Sequence, residues 1–290
     1  MSNPPSDPAV PVPRSEVIDM TAATPTAHAT LTTTDQARRV VVVAAEIFCV
    51  VGTLFGIGVL GTRVEEAAGG ALAATATLIA PAGPAFSIWS VIYLGLLAYA
   101  VWQALPANAV RERVRRTGWL AAASMVLNAA WLLVTQQGWI WASVVVIVAL
   151  ALTLGVLLRR LTAQPASSTV ERVVVDATFG LYLGWVAVAT CANVTAALVD
   201  SGVDLGSVGN QVAAVVVVAV AAVLGVVFAQ QLGGRWTVAA AMAWGLAWIA
   251  VGRLGDEPRS VATGLAAVVA AVVVLAAAAR WRGRAALRAA

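Results

Sequence analysis

Tryptophan, tyrosine and asparagine side chains recur at helical spacing in three apolar segments of this sequence. Residues three or four apart share one face of an α-helix, so each segment presents a stripe of these side chains. Large aromatic faces with a few polar groups are typical of sites that bind a flat, largely apolar molecule. The three stripes are Trp89 with Tyr93, Asn128 with Trp131, and Trp185 with Ala189 and Asn193.

Ordinary helix packing is a second explanation of the same residues. The three tryptophans of the stripes would also fill interfaces between helices, and the two asparagines would form interhelical hydrogen bonds worth about 0.6 kcal/mol each. Trp244 and Trp248 are four residues apart, and packing is favoured for them too. Tryptophan near a helix end is typical of the membrane–water interface. The residues that fit this interfacial role are Trp102, Trp119, Trp139, Trp236 and Trp281.

The residue types that are missing exclude several kinds of chemistry. The chain has no Lys, so it cannot hold retinal as a Schiff base. Its one His, His28, precedes the apolar segments, which leaves no His inside a membrane to ligate haem iron or a transition metal. Cys49 and Cys191 fall in opposite halves of a membrane, too far apart for a disulfide. We therefore expect no metal site and no resident cofactor.

Two carboxylates lie inside apolar segments, where ionisable groups are functional by default. Asp176 has Arg172 one turn before it, and this spacing predicts a local ion pair. Glu46 lies seven residues after Arg39, and the sequence offers no close partner for it. The role of Glu46 stays open at this point.

The elements that position all these residues are membrane-spanning helices. The chain of 290 residues is 61% hydrophobic and 11% charged, with a mean hydropathy of +0.88, whereas soluble domains carry about 25% charged residues. About 20 apolar residues of helix cross a bilayer core. Segments that meet this length predict an all-α, polytopic bundle with about eight spans, at 39–62, 84–105, 118–136, 139–160, 173–199, 208–229, 236–253 and 260–280.

Arginine predicts the orientation of these spans. With the N-terminus inside, 15 of the 18 basic residues fall on the cytoplasmic side, and only Arg63, Arg253 and Arg259 fall outside. Both termini are therefore expected to be cytoplasmic. Residues 1–36 are rich in Pro, Thr, Ala and Ser, which predicts a disordered tail. Residues 282–290 form a basic tail suited to anionic lipid, so the basic charge gives no reason to expect nucleic acid.

Four short motifs in the first five predicted helices resemble motifs of one known family. The residues 86–93 (FSIWSVIY) resemble its second-helix signature, and 127–131 (LNAAW) resemble its third-helix motif. The residues 182–193 (YLGWVAVATCAN) resemble its fifth-helix motif, and WASV from Trp141 resembles the start of its fourth helix. On these residues the chain resembles the TspO/MBR family of tryptophan-rich sensory and translocator proteins, in its longer, actinobacterial-type branch.

The resemblance implies a ligand and a set of residues that bind it. Family members bind porphyrins, other tetrapyrroles or sterols, so porphyrin or haem is implied as a ligand held without His ligation. The small side chain of Ala189 would leave room for the ligand. Some members degrade protoporphyrin in light with a tryptophan pair that corresponds to Trp89 and Trp185. The ligand-binding residues implied for this chain are Trp89, Tyr93, Asn128, Trp131, Trp141, Tyr182, Trp185, Ala189 and Asn193.

The resemblance covers a five-helix core at 37–200 and departs from the family pattern in places. The segment before the second helix reads LIAPAGP, where the family carries a further Trp and Pro, and Phe86 lies three residues before Trp89. Three additional helices, at 201–281, have no counterpart in the short members.

Taken together, the sequence predicts a tryptophan-rich sensory protein of the bacterial inner membrane. Its ligand would lie in a pocket in the outer leaflet, because the three stripes converge there when the termini are cytoplasmic. The expected partners are membrane lipid and a planar apolar small molecule, with a homodimer left open and no nucleic acid. The alternatives are a proton-coupled transporter that uses the two carboxylates and a light-dependent porphyrin-degrading enzyme.

Overall fold

The structure is a computed structural model that describes residues 30–289. Eight of its helices are long and apolar enough to cross a membrane, and no strand is found within this range. The predicted all-α, polytopic bundle is therefore confirmed. The helices are α1 (Thr33–Gly56), α2 (Ile88–Ala104), α3 (Glu112–Gln136), α4 (Ile140–Ala163), α5 (Thr178–Asp200), α6 (Gly206–Gln231), α7 (Trp236–Gly255) and α8 (Val261–Ala289).

Short-range hydrogen bonds explain where the first helices begin. Thr32 caps α1, because its side chain accepts a hydrogen bond from the backbone of Asp35 while the Asp35 side chain accepts one from the backbone of Thr32. The helix thus begins before residue 36, the expected end of the tail, and residues 1–29 of that tail lie outside the described residues. A 3₁₀ turn at Gly83–Ser87, with Pro84 in its first turn, leads directly into α2.

The helices pack in an order that joins the first five to the last three through α5. Along one side α1 packs against α3, α3 against α4, and α4 against α5, while α2 contacts α1 and α5. On its other side α5 packs against α7. Helix α8 then packs against both α7 and α6. The additional helices therefore build directly onto α5, which carries one of the three stripes.

Two glycines let α5 and α7 approach closely. A Cβ atom at Gly180 would collide with the Thr237 side chain, and one at Gly184 would collide with the carbonyl oxygen of Val238. Glycines four residues apart are a common device for close contact between membrane helices. The spacing of Gly180 and Gly184 thus fixes where the additional helices attach.

An ionic cluster joins the N-terminal ends of α3 and α7 to the turn that precedes α5. Asp176 lies in a π-helical turn, Arg172–Ala177, and accepts hydrogen bonds at 2.6 Å from both Arg113 and Arg235. Arg113 also pairs with Glu171 at 3.0 Å. The prediction that Asp176 pairs with Arg172 is wrong, because the wider turn directs its carboxylate towards α3 and α7.

Candidate functional site

Residues 63–87 belong to the connection between α1 and α2. They cover the end of the core opposite the ionic cluster, and we call them the cap segment. Much of it is buried, including Ile79 at 1% and Ala82 at 6% exposure. Helix α7 holds this segment through two side chains and one backbone carbonyl. Trp244 donates its indole N–H to the carbonyl of Ala85 at 2.9 Å, and the Trp248 carbonyl accepts from the backbone of Ala82 at 3.2 Å. The third contact comes from Arg253.

Arg253 ties the cap segment to the C-terminal end of α7. Its guanidinium donates to the carbonyl oxygens of Thr77 at 3.0 Å and Ala74 at 2.9 Å. The side chain is fully buried, at 1% exposure. An additional helix therefore sets the position of a segment that belongs to the core.

Five aromatic side chains meet where the cap segment contacts α2 and α5, namely Phe86 of the cap segment with Trp89, Tyr93, Tyr182 and Trp185. Trp89 stacks on Tyr93, with ring centroids 5.2 Å apart and an angle of 12° between the planes. Trp89 meets Trp185 edge-on, at 6.2 Å and 84°, and Phe86 also meets Trp185 edge-on, at 5.8 Å. The planes of Trp89 and Trp185 are therefore nearly perpendicular, and the two rings do not offer parallel faces to one flat molecule.

Buried polar groups hold several of these rings in place. The Asn128 amide donates to the Tyr93 hydroxyl at 3.1 Å, which orients the ring that stacks on Trp89. The Trp131 indole N–H donates to Asn193 at 2.8 Å, and Asn193 in turn donates to Ser143 at 2.9 Å. These bonds join α2, α3, α4 and α5, so both asparagines act as interhelical hydrogen-bonding groups.

Two neighbouring cavities lie in this region. The larger, about 420 Å³, lies between α1, α2 and the start of the cap segment, and Trp89 and Tyr93 form part of its wall. The smaller, about 40 Å³, lies between α5 and the cap segment. Phe86 and Val64 line both cavities and form the partition between them.

The predicted site residues divide between these cavities and their surroundings. Trp89 and Tyr93 line the larger cavity, whereas the smaller cavity is lined by Trp131, Trp185, Ala189 and Asn193. Tyr182 and Asn128 are fully buried behind the cavity walls, and the Tyr182 hydroxyl donates to the carbonyl of Ser124 at 3.1 Å. Trp141 is 48% exposed and donates to Ser201 at 2.9 Å, away from both cavities.

The remaining tryptophans mostly lie at the surface. Trp119, Trp139 and Trp236 are 45%, 63% and 41% exposed, which is compatible with the interfacial role. Trp102 and Trp281 each carry an arginine over the ring. Trp244 and Trp248 contact each other at 5.6 Å, and they also hold the cap segment.

Glu46 lies inside the core without a hydrogen-bond partner in the described range. It is 3% exposed, and neither carboxylate oxygen is bonded. It lies one turn before Cys49 on α1, and the Asn128 amide donates to the Cys49 sulfur at 3.4 Å and to the Tyr93 hydroxyl at 3.1 Å. Glu46 is therefore on the face of α1 that carries Cys49, near the Tyr93 side of the larger cavity. Within residues 30–289, no group of three or more His, Cys, Asp or Glu side chains is arranged to hold a metal ion.

Sequence reasoning missed the residues that attach α7 to the core. The glycine pair at 180 and 184 was a usable signal, because its spacing is typical of close helix contact. Arg253 was a second signal, since a charged residue near the end of a short apolar span needs a partner. Nothing in the sequence connects Arg253 to Thr77 and Ala74, which precede it by more than 170 residues.

Comparison with protein families gives a match over most of the chain. The family described as TSPO-like protein matches residues 39–279. The matched range runs past residue 200 and includes α6, α7 and most of α8, whereas the sequence motifs lie in the first five helices. Comparisons with curated proteins and with solved structures give no match.

Proposed function

This chain belongs to the TSPO-like protein family, and from this premise we propose that it is a membrane sensor of a flat, largely apolar ligand. Two kinds of molecule fit this description. The first is a porphyrin or another tetrapyrrole, and the second is a sterol-like molecule. The observation that carries this proposal is the cavity of about 420 Å³ walled by the stacked pair Trp89 and Tyr93. Its volume falls within the range of about 300–1,000 Å³ that is usual for small-molecule sites.

A titration of the purified protein with a porphyrin tests the proposal. Trp89 and Trp185 lie at the proposed site, so a bound porphyrin should quench tryptophan fluorescence and saturate at one ligand per chain. The proposed site has no His to ligate iron, so an iron-free porphyrin is sufficient as the probe. Quenching that rises linearly without saturation would count against a defined site.

Ala189 offers a steric test of the smaller cavity. Phenylalanine at this position is larger than the smaller cavity, so it should occupy all of that space, press against the cap segment and lower porphyrin affinity by about tenfold or more. The protein should still insert, because the helix stays apolar. Leu94→Phe is the matched control, since Leu94 lies on α2 and is 69% exposed. Equal affinities of the two variants would remove Ala189 from the site.

A proton-coupled transporter is the second candidate, and Glu46 is the observation that favours it. A buried carboxyl without a described partner is suited to bind and release a proton. Asp176 is less suited, because it is paired with Arg113 and Arg235. Uptake of a labelled substrate into proteoliposomes that depends on a pH gradient would favour this candidate. Loss of the porphyrin spectrum in light would favour the degrading enzyme.

We further propose that the protein lies in a bacterial inner membrane with both termini in the cytoplasm. The support is the distribution of arginine, together with the even number of membrane-length helices in the described range. Alkaline phosphatase fused after residue 290 should therefore be inactive, because the enzyme folds only outside the cytoplasm. A fluorescent protein at the same position should be bright. The opposite pair of results would reverse the orientation.

A further inference from the structure

Three buried hydrogen-bond donors lie at or just behind the wall of the smaller cavity without an acceptor in the described range. They are the indole N–H of Trp185, the hydroxyl of Thr77 and the Nε–H of Arg253. The three residues are 2%, 6% and 1% exposed. Trp185 and Thr77 line the cavity itself. Buried donors are nearly always paired in folded proteins, so three together indicate that an acceptor belongs here.

The polar groups already bonded in this cavity do not supply that acceptor. Asn193 is the other polar side chain in the wall, and its carbonyl oxygen accepts from Trp131 and Ser143. Its amide nitrogen donates to Ser143. The groups left unbonded are two that only donate, the Trp185 indole N–H and the Arg253 Nε–H, and one hydroxyl that both donates and accepts. An oxygen that accepts hydrogen bonds can pair with all three.

The charge of Arg253 narrows the chemistry of this partner. Its guanidinium bonds only to two backbone carbonyls and forms no ion pair in the described range. Asp256 and Glu257 act on it electrostatically, but both are exposed to solvent. One of these carbonyls belongs to Thr77, so the positive charge is bonded at 3.0 Å to the backbone of a residue that lines the cavity. A buried cation favours an anionic acceptor over a neutral one.

The size of the cavity limits what enters it. A volume of about 40 Å³ admits a small polar group and excludes a ring system. The larger cavity adjoins it across Phe86 and Val64. A ligand whose flat body lies against Trp89 would reach the smaller cavity with a substituent once the Phe86 side chain turns aside.

We propose that the smaller cavity binds a carboxylate of the ligand, with Trp185 and Thr77 as donors and Arg253 as the positive charge behind them. This inference rests on the proposed function, since it assumes that the apolar body of the same ligand occupies the larger cavity. It adds that the ligand is a flat apolar molecule with an acidic side chain. It also gives the additional helices a role, because α7 supplies Arg253.

A pair of probes that differ only in the acid separates this inference from the proposed function. Protoporphyrin carries two carboxylates, and its dimethyl ester presents the same ring without charge. The wild-type protein should bind the acid about tenfold or more tightly than the ester, measured by tryptophan quenching. Equal affinities for acid and ester would overturn the carboxylate site and leave the ring site standing. Failure of both probes to bind would overturn the proposed function, and this site with it.

Two variants test whether Thr77 and Arg253 cause the preference for the acid over the ester. Thr77→Val removes one hydroxyl and keeps the backbone carbonyl that bonds to Arg253, and Arg253→Gln removes the charge. Each should lower affinity for the acid and leave affinity for the ester unchanged. Partition of the probes into lipid is the same for every variant, so the ratio between acid and ester isolates the protein's contribution. Thr77→Val also keeps the test decisive if Arg253→Gln fails to fold.

Arg259→Gln is the matched control for the charge. Arg259 lies six residues after Arg253, near the same end of α7, and is exposed, with its guanidinium on the Leu254 carbonyl. Its replacement should leave the acid-to-ester ratio at the wild-type value. A ratio that falls equally in the Arg253 and Arg259 variants would show a general surface effect and overturn the assignment to Arg253.

Discussion

Replacing Trp89 by alanine should weaken porphyrin binding by about five- to 150-fold, which corresponds to about 1–3 kcal/mol. Trp89 lines the larger cavity and presents one face to Tyr93. The alanine variant removes an aromatic wall and leaves Tyr93 without its stacking partner, whereas Trp89→Phe keeps part of that face and should lose less. Fluorescence quenching would lose the Trp89 signal itself, so binding is measured by the shift of the porphyrin absorption band.

Trp102 provides the control on the same helix. It lies near the opposite end of α2, and Arg111 covers its ring at 5.7 Å, far from both cavities. Trp102→Ala removes a side chain of the same size without touching the proposed site, so porphyrin affinity should change little. If both variants lost the same affinity, the Trp89 and Tyr93 pair would be ordinary helix packing, and the proposed site would be wrong.

The sequence was sufficient to predict the helices, because the bilayer imposes the same requirement on each of them. A span needs about 20 apolar residues, and a run of that length is visible without knowledge of any contact. The stacked pair was predictable for a similar reason. Trp89 and Tyr93 are four residues apart, so helix geometry alone places them on one face.

The division of the site into two cavities was not predictable in the same way. It depends on Phe86, whose ring lies between the aromatic stripes of α2 and α5 and meets Trp185 edge-on. Phe86 lies in the 3₁₀ turn before α2, outside the regular helix, so no periodic pattern predicts where its ring lies. The angle between the rings of the Trp89 and Trp185 pair is a further case, because the 84° between their planes depends on how two helices cross.

The partners of Asp176 show where local reasoning misleads. Spacing along one helix favours Arg172, yet the carboxylate bonds to Arg113, 63 residues earlier, and to Arg235, 59 residues later. These contacts exist because the N-terminal ends of α3 and α7 both lie within side-chain reach of the turn before α5. The cluster therefore ties the additional helices to the core at one end of the bundle, as Arg253 and the cap segment do at the other.

Asp176→Asn should lower the free energy of unfolding by about 3 kcal/mol, because it leaves a buried guanidinium with less negative charge to offset it. The Arg113 side chain is only 7% exposed, so little solvent reaches its charge. The expected loss is at the lower end of the usual range, because Arg113 keeps Glu171 and the carbonyls of Leu161 and Gln164. Unfolding of the purified protein in detergent measures the change.

Glu112→Gln is the matched control, because it also removes one carboxylate charge from an arginine pair near the start of α3. The pair between Glu112 and Arg116 is at 2.7 Å, but the two side chains are 57% and 55% exposed. Exposed pairs contribute about 0–1 kcal/mol, so this variant should unfold almost as the wild type does.

Loss of the Asp176 cluster should also loosen α7, and with it the cap segment, so porphyrin affinity should fall in Asp176→Asn and stay unchanged in Glu112→Gln. Equal unfolding free energies in the two variants would mean that the contacts of Asp176 do not stabilise the attachment of α7 to the core.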